Sequence, residues 1–441
     1  MYKVLFITFG CKVNHYETEC MKETFRSRKW EVVGEDCDTD AVVINSCTVT
    51  ASGDSRVLAA LRKARARYPE AVIALTGCYP QADPEGASKL MDADLVCGTK
   101  DRGRTCELIE ELIADRKRTV LLSAHEKGEL FEPMKCTHYE DNTRAFVKIQ
   151  DGCDRFCSYC VIPYARGRCR SKPLELLREE AAEIAANGIR EMVLSGINLA
   201  FYGAEMGLTL ADAVEVCAGV DGIERIRLGS LEPEMMTDSQ LERLAAVPGF
   251  CPQFHLSLQS GCTRTLRAMN RHYTADEYFA LTERIRRYFP DCAFTTDVMV
   301  GFPQETDEDF AESAAFIKKI GFSKVHVFRY SRRHGTPADR MPGQIPEAVK
   351  TERWKNMTAA ADETRERYLR SLIGKTVPVL FERENSPEFH QGRAPDHTLI
   401  KISRKNPEKS LRNRIISVII EENGPDCCFG RPAADLDYDL I

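Results

Sequence analysis

No apolar run in this 441-residue chain approaches the ~18 residues that a membrane-crossing helix needs. Excess positive charge is also missing. The 61 Lys and Arg stand against 67 Asp and Glu, a net charge of −6, which excludes a uniformly basic coat for nucleic acid and leaves only local basic patches. The opening residues, Met1 to Ile7, are too short an apolar run for a signal peptide and are expected to form a buried first strand. Nothing points to wholesale disorder, since 43% hydrophobic and 29% charged residues allow packed cores. The length suggests about three domains. Cysteine, by contrast, is abundant. Eighteen thiols without a secretory signal argue for metal chemistry in a reducing compartment, the cytoplasm, rather than for disulfides.

The densest of these thiols lie in Gln150-Asp-Gly-Cys153-Asp-Arg-Phe-Cys157-Ser-Tyr-Cys160. Three thiolates spaced C-x3-C-x2-C can bind three irons of a cubane cluster and leave the fourth iron without a protein ligand, open to a substrate or cofactor. Two plainer readings compete: a structural zinc site with Cys169 as a distant fourth ligand, or ordinary buried thiols. With Tyr159 beside the last ligand, the array resembles the signature of radical S-adenosylmethionine enzymes, in which the open iron chelates the methionine amine and carboxylate.

Residues 1–125 alternate apolar runs with amphipathic stretches. Strands are expected near Lys3–Phe9, Ala41–Asn45, Ala71–Thr76 and Asp94–Val96, with helices near 14–29, 53–67 and 101–114. In an open parallel sheet, sites form beyond the carboxyl ends of the strands. Cys11, Cys47 and Cys78 fall at three such ends, which makes a second three-thiolate site. Gly10 and Gly77 precede two of them and permit tight turns. Buried, inert thiols are the alternative for each. Cys20, Cys37, Cys97 and Cys106 lack this placement. The stretch 115–143 is polar and irregular, and residues 126–143 are taken as a linker.

The βα rhythm resumes over 144–370, with strands expected at Ala145–Gln150, Glu191–Leu194, Glu224–Leu228, Gln253–Leu258, Ala293–Val300 and Lys324–Phe328. About six βα units make a partial parallel barrel, with its chemistry at the C-terminal mouth. Polar loops follow the strands there. Ser195, Gly196 and Asn198 follow one, Glu232 the next, Gln259 the next, and Asp297 flanks the fifth strand end. Gly196 allows close backbone approach, and Asn198 and Glu232 are candidates to hydrogen-bond a polar ligand. Ser230 and Asp297 are equally candidates for helix caps. His255 is expected to be a satisfied core histidine, and Arg271 to hold a carboxylate, a phosphate or a surface glutamate. Arg166, Arg168, Arg170 and Lys172 place four cations in seven residues beside the cluster loop, which suits a polyanion such as RNA; a solvated charged turn is the alternative.

Residues 371–441 change composition. Lys375–Glu382, Thr398–Ser403 and Arg414–Ile420 are rich in β-branched residues and read as a small antiparallel barrel. Residues 393–414 carry seven Lys or Arg against two acids, whereas 421–441 are acidic. A β-barrel with one basic face is a common grip for RNA, although only Phe381, Phe389 and Phe429 supply aromatics for stacking.

Two three-cysteine sets, a βα barrel and a terminal β-module together resemble the radical S-adenosylmethionine methylthiotransferases over essentially the whole chain. The stretches Thr8–Glu19, Asn45–Thr50 and Ile162–Gly167 are closest to the branch acting on threonylcarbamoyladenosine in tRNA. The resemblance implies a Rossmann-like N-terminal cluster domain, a partial (β/α)6 radical barrel and a TRAM-like RNA-binding barrel. It implies two [4Fe-4S] clusters, at Cys153, Cys157 and Cys160 and at Cys11, Cys47 and Cys78. S-adenosylmethionine is cleaved at the first, where Tyr159, Ser195, Gly196, Asn198, Glu232, Gln259 and Asp297 are the candidates to hold it. The radical removes hydrogen from carbon 2 of the adenine beside the anticodon, and the second cluster supplies sulfur. An electron donor such as flavodoxin or ferredoxin is implied as a partner. Relatives acting on isopentenyladenosine, or on an aspartate of a ribosomal protein, are alternatives, as is a non-catalytic two-cluster redox or RNA-binding protein. One departure is Gly301-Phe-Pro-Gln304, where the family usually carries a second glycine in place of Gln304.

Overall fold

A computed structural model describes residues 1–139, 143–406 and 408–433. Part of the expected linker (140–142) and the end of the acidic terminal stretch (434–441) lie outside the described residues.

The first unit is a six-stranded, wholly parallel sheet: β1 (Lys3–Thr8), β2 (Glu31–Val33), β3 (Ala41–Ser46), β4 (Val72–Gly77), β5 (Leu95–Cys97) and β6 (Thr119–Leu121), in the order β2-β1-β3-β4-β5-β6. β3 and β4 are buried at every residue, as central strands covered on both faces must be, which explains their near-continuous apolar sequences. Thr8, Asn45 and Thr76 share one register line, so Cys11, Cys47 and Cys78 all begin two or three residues beyond the same sheet edge. The four expected strands are present. The three-residue edge strands β2 and β6 were not foreseen, and β6 lies in the stretch read as irregular.

The second unit contains β7 (Arg144–Asp151), β8 (Arg170–Ser171), β9 (Glu191–Gly196), β10 (Arg225–Leu228), β11 (Ser230–Leu231), β12 (Gln253–Leu256), β13 (Ala293–Val300) and β14 (Lys324–Arg329). They form two curved sheets, β10-β9-β7-β8 and β11-β12-β13-β14, parallel except for β7 with β8. An Ile226–Phe250 bridge helps join them into a partial barrel. Alternation along β13 sorts its residues: Phe294, Val298 and Val300 pack in the core, while Thr295, Asp297 and Met299 are half-buried on the lumen side. Asp297 therefore lies within a strand, and Ser230 within β11; neither caps a helix.

The helix Glu347–Arg370 leaves this unit and carries the chain to the third. Its Met357, Ala360 and Ala361 join the barrel core, and its Leu369 joins the terminal core. The terminal unit is a closed five-stranded barrel of β15 (Thr376–Phe381), β16 (Phe389–Arg393), β17 (Leu399–Ser403), β18 (Ile415–Asn423) and β19 (Cys428–Pro432), in the order β15-β16-β17-β19-β18. It departs from a purely antiparallel design in one place, since β17 and β19 run parallel.

This terminal barrel closes the floor of the larger one. Arg225 donates to the carbonyls of Pro378 and Arg393, and Arg227 to those of Ala394 and Pro395. Arg144 pairs with Glu382 and meets His397. The larger barrel thus opens at the end where the sequence placed its chemistry.

Candidate active site

The cluster loop starts where β7 ends. Gly152 adopts φ +74°, and a Cβ there would meet the Arg168 carbonyl at 1.9 Å, so glycine is required for the turn into Cys153. The Cys153 N–H bonds the Gly167 carbonyl, and the Cys160 N–H bonds the Cys157 carbonyl at 2.9 Å. Ser158 pins the loop to the next wall, its N–H to the Met269 carbonyl and its hydroxyl to that of Ala268. Tyr159 packs edge-on to Phe302, with ring centroids 6.5 Å apart.

Two polar side chains reach these thiols from the barrel loops. Asn198 donates from Nδ2 to Cys153 Sγ at 3.5 Å, and its backbone N–H bonds Gln150 Oε1 at 2.6 Å. Arg271 donates to Cys157 Sγ at 3.3 Å, to Glu232 Oε2 at 2.5 Å and to the Tyr273 hydroxyl at 3.0 Å. The carboxylate that Arg271 holds is therefore a buried-site partner rather than a surface glutamate. Burial pushes the Cys153 thiol up to about 11 and the Cys160 thiol up to about 12. Such thiols ionise on binding metal, which makes binding proton-releasing.

Asn198 Oδ1 is buried without a hydrogen-bond partner. An orphan acceptor beside Cys153 fits a donor such as the amine of S-adenosylmethionine. Of the other candidates, Ser195 is buried, and a Cβ on Gly196 would meet Gln150 at 2.9 Å. Gln259 takes a left-handed φ of +66° and exchanges backbone bonds with Asp297 and Met299. Asp297 Oδ2 lies 3.4 Å from His255 Nε2, and His255 Nδ1 meets the Thr295 hydroxyl at 3.0 Å, so His255 lines the lumen rather than the core. Gln304 adopts φ +67°, the conformation usually given to glycine.

The second thiol set forms at the sheet edge. Gly10 takes φ +109°, and a Cβ there would meet Cys47 Cβ at 2.6 Å and Sγ at 2.9 Å, so the turn brings Cys11 against Cys47. Burial raises the Cys78 thiol to about 11, Arg166 lowers it, and Cys47 and Cys11 raise it again. The three thiols are thus electrostatic neighbours. Among the described residues no three His, Cys, Asp or Glu converge as ligands of one metal ion. Three thiolates in each array could each take one iron of a polynuclear group.

Three of the four cations expected to face RNA turn inward instead. Arg166 has no solvent exposure. It donates to Cys78 Sγ (3.2 Å), Asn14 Oδ1 (2.7 Å), both oxygens of Glu17 (2.7 and 3.0 Å) and Asp151 Oδ1 (3.2 Å). Arg102 and Lys148, also buried, complete the cage around Glu17 and Asp151. Arg170 pairs with Asp151 and the carbonyls of Arg166 and Arg168, and Lys172 pairs with Glu180. Only Arg168 is exposed, and it pairs with Asp154. Three of the four cations therefore cannot present charge to a polyanion from these positions, because buried carboxylates hold them. The sequence reading missed Glu17, Asp151, Arg102 and Lys148 altogether.

Family models match in two blocks: the Radical SAM superfamily over residues 147–317, and a family described only as Uncharacterized protein family UPF0004 over residues 3–98. The threonylcarbamoyladenosine tRNA methylthiotransferase MtaB of Thermotoga maritima is 40% identical over 85% of this chain and 85% of its own length. The chain belongs to the radical S-adenosylmethionine methylthiotransferase family. The tRNA-2-methylthio-N(6)-dimethylallyladenosine synthase of Pelotomaculum thermopropionicum is 36% identical over 95% of both chains. Among solved structures, the cobalamin- and [4Fe-4S]-bound radical methyltransferase TsrM of Kitasatospora setae has a TM-score of 0.59 at 15% identity, over 77% of each chain, a likeness of fold. As a methylthiotransferase the chain is an enzyme of S-adenosylmethionine and iron–sulfur clusters, which removes the non-catalytic alternative.

Proposed function

We propose that this enzyme converts N6-threonylcarbamoyladenosine beside the anticodon of tRNA to its 2-methylthio derivative. The observation that carries the reading is the joining of two thiol arrays by one buried guanidinium, Arg166, at the mouth of a radical barrel. The choice of base follows the relative at 40% identity. When bound, the cluster at Cys153, Cys157 and Cys160 and S-adenosylmethionine supply the radical hydrogen abstraction that an unactivated ring C–H bond requires, and the cluster at Cys11, Cys47 and Cys78 supplies sulfur.

The chain's own residues do the positioning. Asn198 reaches Cys153 only through a long bond and offers its free carbonyl to the cofactor, while Arg271, braced by Glu232 and Tyr273, fixes Cys157. Gly196 makes room for the Gln150 side chain, which in turn holds the Asn198 N–H, and Gln259 and Asp297 border the mouth opposite. RNA is gripped by the terminal barrel, where Phe389 and Phe429 lie 5.6 Å apart with Lys401 over the Phe389 ring. Phe381 is in that barrel's core and takes no part. Electrons come from a carrier such as flavodoxin or ferredoxin. The enzyme works in the cytoplasm, whose reducing poise suits its eighteen free cysteines. No helix among the described residues is long and apolar enough to cross a membrane.

The test is mass spectrometry of tRNA nucleosides from a deletion strain complemented with this gene. Return of 2-methylthio-threonylcarbamoyladenosine supports the reading. Return of the 2-methylthio-isopentenyl nucleoside keeps the chemistry and moves the substrate, and no methylthio nucleoside redirects the search to protein substrates.

A further inference from the structure

The floor of the barrel lumen carries more positive charge than its own carboxylates neutralise. Arg225 and Arg227 share Glu191, while Arg144 and Arg393 share Glu382. Lys12 is a fifth cation there and has no ion-pair partner among the described residues. Its Nζ lies 5.3 Å from the centroid of Phe146, a β7 residue that alternates with the core-facing Ala145 and Val147 and so points into the lumen. The groups facing Lys12 are Arg144 and Arg227 from the strands, His326 from β14 and His397 from the terminal barrel. Two more acids lie near, Asp297 facing His255 and Asp396 accepting from the hydroxyls of Tyr368 and Thr398, so the five cations meet four carboxylates and Lys12 is the one left without a carboxylate in contact among the described residues. Lys12 is nonetheless solvent-exposed, and it directly follows Cys11.

We propose that Lys12 is the subsite for a carboxylate carried on the substrate base, reached from inside the lumen next to the Cys11 thiol. The inference rests on the proposed function, which supplies such an anion: the threonine carboxylate of the threonylcarbamoyl group. A backbone phosphate fits this place poorly. Residues 393–397 close the lumen from below, so an anion arrives only from the mouth, on a group slender enough to enter beside the base. Isopentenyladenosine bears no charge on its substituent, so Lys12 discriminates between the two modified bases. A cation with no carboxylate partner can take a matching anion through a charge-assisted hydrogen bond without first giving up an existing pair.

The experiment measures binding of anticodon stem-loop RNAs to the full-length reconstituted enzyme. The RNAs carry threonylcarbamoyladenosine as the free acid or as its methyl ester, which removes only the charge. Wild type is expected to bind the acid about tenfold more tightly than the ester, the scale of one charge-assisted hydrogen bond. Lys12→Met abolishes that preference and Lys12→Arg retains most of it. Equal binding of acid and ester by wild type, or an undiminished preference in Lys12→Met, overturns the proposal. Failure of the underlying function looks different: wild type prefers the acid, yet mass spectrometry finds no methylthio product from it under reducing turnover conditions.

Discussion

Arg166 Nε donates to Cys78 Sγ at 3.2 Å, while the same guanidinium holds Asp151, two residues before Cys153, at 3.2 Å. One side chain thus spans from Cys78 at the sheet edge to the loop that carries Cys153, Cys157 and Cys160. Asp151 in turn accepts from the Gly152 N–H at 2.9 Å, which fixes the glycine turn into the first ligand. The short helix Ile162–Arg166 packs on the helix that begins at Cys78, so relative movement of the two units must break this contact. Replacing Arg166 by Gln leaves Glu17 and Asp151 short of a buried counter-charge, at a cost of about 3–5 kcal/mol. Urea unfolding of wild type and variant measures it.

Arg166→Lys separates charge from hydrogen bonding. It keeps the cation but loses the planar fork that serves Cys78, Glu17 and Asn14 together. Hydrogen bonds to cluster sulfurs raise reduction potentials by stabilising the more negative reduced state. An EPR-monitored redox titration is therefore expected to show a lower potential for the cluster at Cys11, Cys47 and Cys78 in Arg166→Lys. The other cluster serves as the internal reference and stays in place.

Acid should undock the two units. Burial alone would raise the Glu17 carboxyl, but Arg102, Arg166 and Lys148 together override it and hold it at about 2, down from 4.5. Asp151 is likewise held well below its ordinary value, burial being outweighed by Lys148, Arg166, Arg170 and Arg102. A depressed folded-state pKa contributes stability that is complete above the unfolded value and is lost as pH falls toward the folded one. For Glu17 that window runs from about 4.5 down to about 2, and the contribution is ~3 kcal/mol by linkage. Thermal melts should be flat in this respect from neutral pH to about 5 and fall steeply below it. In Glu17→Gln the part of that fall due to Glu17 disappears.

The placement of the six candidate cysteines was legible because it is local: a spacing in one case, strand ends of a predictable topology in the other. The long strands were legible for the same reason, since β3 and β4 are apolar without interruption. The short edges β2 and β6 carry too few residues for a period to show. The cations after Cys160 misled because a charge run gives no direction. β8, two residues long, pairs antiparallel with the end of β7 and turns Arg170 inward, while Lys172 finds Glu180 eight residues later on the helix Leu174–Ala186. No local pattern couples Arg166 to Glu17, which stands 149 residues away. Lys12 was hidden likewise, because its neighbours come from all three units.

Cys157→Ala removes one thiolate of the proposed radical array and the acceptor of the Arg271 bond, with Arg271 still held by Glu232 and Tyr273. The fold should survive, so circular dichroism and urea midpoints stay near wild type. Product formation should fall to background, and methylthiolation at the wild-type level by this variant would rule out the assigned array.

Asn198 allows cofactor binding to be separated from cluster assembly. Its Nδ2 bond to Cys153 is long, at 3.5 Å, and contributes little to holding the thiolate, whereas Oδ1 is a buried acceptor with nothing to accept. Leaving such an atom unsatisfied costs about 1–3 kcal/mol, a cost removed when a donor arrives. Asn198→Ala should therefore assemble a full complement of iron and sulfide yet bind S-adenosylmethionine about tenfold more weakly, read by anaerobic calorimetry. Asn198→Asp keeps the acceptor and adds a charge able to pair with the methionyl amine, so it should bind more tightly than Asn198→Ala. Equal affinity in Asn198→Ala and wild type would mean that the orphan oxygen serves something other than the cofactor, and the polar mouth would then need another ligand to explain it.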